Sequence, residues 1–106
     1  MIIIITMLCS IIYIRYGGTQ RYFRRLVQPR MGIEVNFVDF SDDDAVSSKV
    51  DDRTKLLWLE TPTNPTLKVT DIHQAMLVAK KCNALLAVDN TFCSPYFQQP
   101  LGKFQH

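Results

Sequence analysis

Three short stretches hold the residues whose types and spacing suit chemistry. "YGGTQRYF" (16–23) sets an aromatic ring beside two glycines, with Arg21 further along. In "ETPTNP" (60–65), prolines stand on both sides of an amide. Pro62 and Pro65 fix their own φ and push Thr61 and Asn64 toward extended backbone, so a stiff loop holds the Asn64 amide in one direction. "DNTF" (89–92) starts with Asp89, which ends an apolar run. A carboxylate at the rim of a low-dielectric interior needs a partner: a helix N-terminus, a metal or a cationic ligand. Each stretch also has an ordinary explanation, a rigid turn for 60–65 and a turn or cap residue for Asp89. The first stretch alone suits a phosphate loop, an RNA-binding patch or the roof of a cofactor pocket.

The elements that must position these residues follow from periodicity. Residues 54–60 and 84–89 are continuous apolar runs, expected of strands covered on both faces. Between them, 71–83 reads as a helix with Ile72, Ala75, Met76 and Ala79 on one face, and Lys80 and Lys81 at the negative end of its dipole. Residues 32–38 alternate as a strand with Ile33, Val35 and Phe37 on one face. Residues 19–31 look helical, with Pro29 expected to end or kink the helix. Ser41 precedes three aspartates with Asp44 at the capping-box position, so a short helix is expected over 42–49. Alternating strands and helices imply an α/β protein with a partial parallel sheet, right-handed crossovers and flanking helices. Ligands of such sheets bind beyond the carboxyl ends of the strands, and all three stretches follow strands. They are expected to open on one edge.

The apolar start, "MIIIITMLCSIIYI", is shorter than the roughly 18 residues of a membrane-spanning helix. It has neither a basic n-region nor a small-residue cleavage site, and its isoleucines favour a buried strand. A membrane anchor is the weaker alternative. A net charge of +2, with acidic runs close to the arginines, gives no broad reason to expect nucleic acid. Arg15, Tyr16, Arg21, Tyr22, Phe23, Arg24 and Arg25 remain the one candidate RNA patch. Cys9, Cys82 and Cys93 form no C-x-x-C pair, and His73 and His106 lack ligand spacing, so neither a disulfide scaffold nor a metal site is expected. Reduced thiols suit a cytoplasmic protein.

Together, "YGGTQRYF", "ETPTNPTLKV" and "VDNTFCSPYFQQPL", in this order and at these separations, resemble the trans-sulfuration family of pyridoxal-phosphate enzymes, most closely its γ-lyase branch. The resemblance runs over 16–101, with 1–15 an apolar start outside it and 102–106 a divergent tail. It implies part of the large domain of a fold-type-I, aspartate-aminotransferase-like enzyme, with pyridoxal 5'-phosphate as cofactor. It also implies a small sulfur amino acid as substrate, a cytoplasmic homotetramer, and no nucleic-acid or metal partner. By resemblance, Tyr16 stacks on the pyridoxal ring and is a candidate base, and Gly17 and Gly18 let the backbone turn close to it. Arg21 lies near the substrate. Asn64 sits beside the cofactor's phenolic oxygen and the substrate carboxylate. Asp89 holds the pyridine nitrogen protonated, and Thr91 gives a supporting contact under the ring. The implied reaction is an α,γ-elimination from cystathionine to cysteine, 2-oxobutanoate and ammonia.

The sequence departs from that pattern in one chemically decisive respect. The family's Schiff-base lysine, in a Ser-x-Thr-Lys segment beyond "DNTF", is not in these 106 residues, and Lys49, Lys55, Lys68, Lys80, Lys81 and Lys103 stand in no such context. The upstream phosphate loop is also missing, and Ile14-Arg15 replace an acidic pair. The expectation is a middle slice of a lyase, inactive alone. The alternative is a regulatory or vestigial family member that keeps a half-pocket.

Overall fold

A computed structural model describes residues 2–6, 10–12 and 17–103. Its strands are β1 (Ile2–Thr6), β2 (Ser10–Ile12), β3 (Val35–Val38), β4 (Thr54–Glu60) and β5 (Leu85–Asp89). They form one sheet in the order β2-β1-β4-β5, with β3 also pairing β1. β4 and β5 are parallel neighbours, in register from Leu56 opposite Leu85 to Glu60 opposite Asp89. β1 runs antiparallel to β2, β3 and β4. It follows that β2, β3, β4 and β5 all point the same way.

The apolar start therefore supplies two antiparallel strands where the sequence suggests one. Fourteen extended residues would reach about 46 Å at the usual strand rise. The neighbouring β4 has only 7 residues to pair with. Folding back keeps the apolar run on the sheet, and it restores the direction of β2 to that of β4 and β5.

β4 is the centre of the packing because its alternating side chains feed two cores. Leu57 and Leu59 point to one face and join Val38, Val46, Ile72, Ala75 and Ala79. Trp58 points to the other face and packs with Phe23, Val27 and Val35. Its ring meets Phe23 edge-on at 6.0 Å, and the Arg24 guanidinium lies 4.3 Å from the Phe37 ring centre. The candidate RNA patch thus gives up Phe23 to the core and Arg24 to a neighbouring ring.

The first core is covered by α4 (Ile72–Lys81), whose buried residues Ile72, Ala75 and Ala79 are those expected from the sequence. Asp71 caps it by accepting the His73 N–H at 2.8 Å. The helix stops before Asn83, which takes the left-handed region at φ 54. The Ala84 N–H then reaches the Ala79 carbonyl at 2.9 Å and the Asn83 N–H reaches that of Lys80, a Schellman ending.

The second core lies under a helix in three parts: α1 (Gly17–Tyr22), a π-helical stretch Phe23–Val27, and α2 (Gln28–Met31). Pro29 has no N–H and its ring would collide with the carbonyl four residues back. The helix widens before it, with Gln28 N–H donating to the Phe23 carbonyl five residues earlier, and continues. It ends at Gly32, at φ 62. Pro29 thus bulges the helix instead of ending it. The short α3 (Asp43–Ser47) is capped by Asp42, which accepts the Ala45 N–H at 2.9 Å. Ser41, the expected cap, instead donates its hydroxyl to Asp39 at 2.6 Å. Two single turns, α5 (Ser94–Phe97) and α6 (Pro100–Lys103), follow β5.

β5 departs from expectation. It is an edge strand, only partly covered, with Leu85 75% exposed. Near its far end Tyr96, Phe97 and Leu101 are also exposed. Among the described residues, no helix is long and apolar enough to cross a membrane.

The contrast between the two strands is measurable. Leu57→Ala, at a site with 0% exposure, is expected to cost about 2–5 kcal/mol in urea denaturation. Leu85→Ala is expected to stay within about 0.5 kcal/mol. Equal losses would place Leu85 in a core that the fold does not give it.

Candidate ligand site at the carboxyl ends of β4 and β5

The parallel register puts Glu60 and Asp89 side by side at the ends of their strands. Directly opposed residues of a parallel pair share a face, with strands roughly 4.8 Å apart. Both carboxylates line a cavity of about 250 Å³ together with Thr19, Pro62, Asn64, Thr91 and Phe92. Residues from all three sequence stretches therefore meet at one place. The edge on which they meet is the carboxyl edge of β4 and β5, and β2 points the chain toward it as well.

The loop after β4 owes its shape to buried threonines. Thr61 is fully buried, and its hydroxyl accepts the Thr70 N–H at 3.0 Å and donates to the Thr70 carbonyl at 3.3 Å. The Thr63 hydroxyl accepts the Lys68 N–H at 3.0 Å, while the Thr63 N–H donates to the Lys68 carbonyl at 3.0 Å. The Thr61-Pro62 and Asn64-Pro65 bonds are both cis. Within this frame the Asn64 N–H donates to Glu60 Oε1 at 2.9 Å. The side-chain amide of Asn64 makes no hydrogen bond among the described residues and lines the cavity.

The loop after β5 is locked to the same frame. The Gln98 amide donates to the Thr61 carbonyl at 2.9 Å and to Asn90 Oδ1 at 2.8 Å, and Asn90 Nδ2 donates back to the Gln98 carbonyl at 2.8 Å. Asp89 Oδ1 accepts both the Thr91 N–H, at 3.1 Å, and the Thr91 hydroxyl. Both bonds fall on one oxygen, which leaves Oδ2 without a partner among the described residues. A free anionic oxygen and a free amide on one cavity wall suit a ligand carrying a cationic N–H and a polar oxygen.

The remaining expected residues are distributed as follows. Thr91 lines the cavity and also orients Asp89. Arg21 is exposed and lines neither this cavity nor the adjoining one of about 360 Å³, formed by Gly18, Thr19, Tyr22, Phe23 and Trp58. Gly17 and Gly18 open α1 instead of forming a turn, and a Cβ built on Gly17 would meet no atom within 4 Å. Tyr16 lies outside the described residues. The sequence reading passed over Glu60. It is 7% exposed, and burial pushes its carboxyl above the ordinary range, a shift opposed by the Asn64 N–H and increased by Asp89. The signal was present: Glu60 follows the buried Leu59 with no polar residue between.

Lys68 ties the loop to the turn after β3 through a 3.0 Å ion pair with Asp39. The Ser41 hydroxyl and N–H, aided by Lys68, lower the Asp39 pKa to about 2. A lowered carboxylate contributes stability that is present above its unfolded value of 3.8 and is lost as pH falls through about 2. Thermal unfolding of the wild type against Asp39→Asn should therefore differ at pH 5 and converge toward pH 2; a constant difference would rule out this linkage. Thr61→Val removes both bonds of the buried Thr61 hydroxyl to Thr70, and a loss of about 1–3 kcal/mol in urea denaturation is expected. A neutral result would mean that the Thr61 hydroxyl does not shape the loop.

The sequence profile of the Cys/Met metabolism PLP-dependent enzymes matches residues 9–103. The chain is 52% identical over 88 residues to cystathionine gamma-lyase of Mus musculus, covering 82% of this chain and 22% of that one. The solved structure of metB from Corynebacterium glutamicum superposes with a TM-score of 0.75 at 46% identity, over 83% of this chain and 23% of the other. That of cystathionine gamma-lyase from Lactobacillus plantarum complexed with L-serine does so with a TM-score of 0.75 at 42% identity, over 81% and 22%. The chain thus spans less than a quarter of the relatives it matches. On the profile match and these identities, it belongs to the Cys/Met metabolism family of PLP-dependent enzymes.

Proposed function

We propose that this chain is the ring-facing part of a pyridoxal-phosphate-dependent carbon–sulfur lyase that acts on cystathionine. The carrying observation is the pair of groups without hydrogen-bond partners among the described residues, Asp89 Oδ2 and the Asn64 side-chain amide, on one cavity wall in a chain half identical to cystathionine gamma-lyases. When bound, the cofactor supplies covalent attachment of an amino substrate and an electron sink for charge at its Cα. The rest of the work belongs to the residues. Asp89 Oδ2 accepts from the ring nitrogen and keeps its proton in place, while Thr91 holds Oδ1 and so sets the carboxylate plane. Asn64 directs its amide at the ring substituents from a backbone that cannot swing. Phe92 and Pro62 give the cavity an apolar wall that limits water at the ring. Tyr16 is assigned to stacking on the ring and to proton transfer, and Arg21 to the substrate side.

The Schiff-base lysine is not among these residues, so turnover is assigned to a protein that includes it, in the cytoplasm and as a homotetramer. The 106-residue chain alone is expected to bind the ring without catalysis. Trp58, the sole tryptophan, lines the adjoining cavity and serves as the reporter. Pyridoxine 5'-phosphate, which has no aldehyde to capture surface lysines, should quench Trp58 fluorescence saturably. Asp89→Ala should weaken that binding by about 10-fold or more, as expected for one charged hydrogen bond. No release of 2-oxobutanoate from cystathionine is expected with pyridoxal phosphate present. Absence of saturable quenching, or equal binding by Asp89→Ala, would overturn the ring-facing assignment, and turnover by the chain alone would overturn the role given to the lysine.

A further inference from the structure

Glu60 is a carboxyl that the proposed chemistry does not use, yet it is the more buried member of the pair at the strand ends. Its surroundings within the cavity contain one other group that ionises. From β5 it faces Asp89; α1 contributes Thr19, the loop Pro62 and Asn64, and the following turn Thr91 and Phe92. Among the described residues no cation lines this cavity, and the positive charge of the terminal amine opposes the upward shift of Glu60 only as its smallest cause. Two adjacent carboxylates at the edge of an apolar sheet repel each other, so one of them is better left uncharged. Asp89 accepts two donors from Thr91, whereas Glu60 has the single Asn64 N–H at 2.9 Å and deeper burial. The raised affinity of Glu60 for its proton agrees with this division.

We propose that Glu60 is a positioning residue: as a neutral carboxylic acid it anchors the Asn64 backbone and leaves Asp89 as the sole anion of the cavity. Anchoring acts through Oε1, which any carboxyl or carboxamide oxygen can replace. Charge selection acts through the proton. A second full negative charge beside Asp89 would draw water or a metal cation into the cavity, whereas a neutral neighbour reserves the attraction of Asp89 for a ligand N–H. Gln at this position keeps both properties, and Ala removes the anchor.

The ligand part of this inference rests on the ring-facing reading above, whereas the anchoring part does not, and two measurements on the full chain separate them. Carboxyl NMR titration of the ligand-free chain should find Glu60 ionising above the ordinary glutamate value of 4.5. In the same samples Asn64 amide exchange should be about tenfold or more faster in Glu60→Ala and close to wild type in Glu60→Gln, as expected for loss and retention of one hydrogen bond. Pyridoxine 5'-phosphate binding, read by Trp58 quenching, should follow the same order, with Glu60→Gln close to wild type and Glu60→Ala weakened. If Glu60 ionises at or below the ordinary glutamate value of 4.5, or if Glu60→Gln exchanges at Asn64 as fast as Glu60→Ala, the inference falls whatever the ligand does. If the NMR results hold and wild type does not bind the ring, the anchor stands and the ring-facing assignment falls.

Discussion

The parallel pairing of β4 with β5 is the constraint on which the rest depends. Its register sets Leu57 and Leu59 against α4, turns Trp58 toward the opposite helix, and brings Glu60 and Asp89 together at the end. A shift of one residue would reverse every one of these assignments, because side chains alternate across the sheet. The buried leucines hold that register, and each contributes roughly 1.5–3 kcal/mol by leaving water. The polar site is thus positioned by apolar packing up to about 10 Å away, at about 3.3 Å per residue.

Within that frame the site is made of restraint more than of reactive groups. Threonine hydroxyls close the 61–70 loop, the Gln98 amide ties the two loops together through the Thr61 carbonyl, and Thr91 occupies one oxygen of Asp89. What is left over, one carboxylate oxygen and one amide, is small in number and fixed in place. Such preorganisation makes a few polar atoms selective, since they need no reorganisation when a ligand arrives. The burial of Glu60 belongs to the same economy of charge.

Much of this was legible in the sequence because β4, α4 and β5 have strong, uninterrupted patterns. Ile72, Ala75 and Ala79 fall on the buried face as their spacing requires, and the stretches starting at Glu60 and Asp89 end adjacent strands. The misses have physical causes. Periodicity does not count how many partners an apolar run will find, so the division of the first run into β1 and β2 was hidden. Pro29 is a helix breaker by propensity, but a widened turn accommodates it when Phe23 and Val27 are held in a core. Ser41 and Asp42 are both good caps, and the choice between them fell to Asp39, which took the Ser41 hydroxyl. Residues 84–89 read as fully covered because composition does not distinguish a central strand from an edge.

The Gln98 amide joins Thr61 across 37 positions of sequence. Closing so long a loop costs chain entropy that only a formed β4–α4–β5 unit can offset. The leucine register is therefore the condition on which the loop-to-loop bond depends. Gln98 does not line the ligand cavity itself, but it joins the two loops that do. A ligand bound there by the folded chain and not by the unfolded one would therefore also make global unfolding of the leucines beneath costlier.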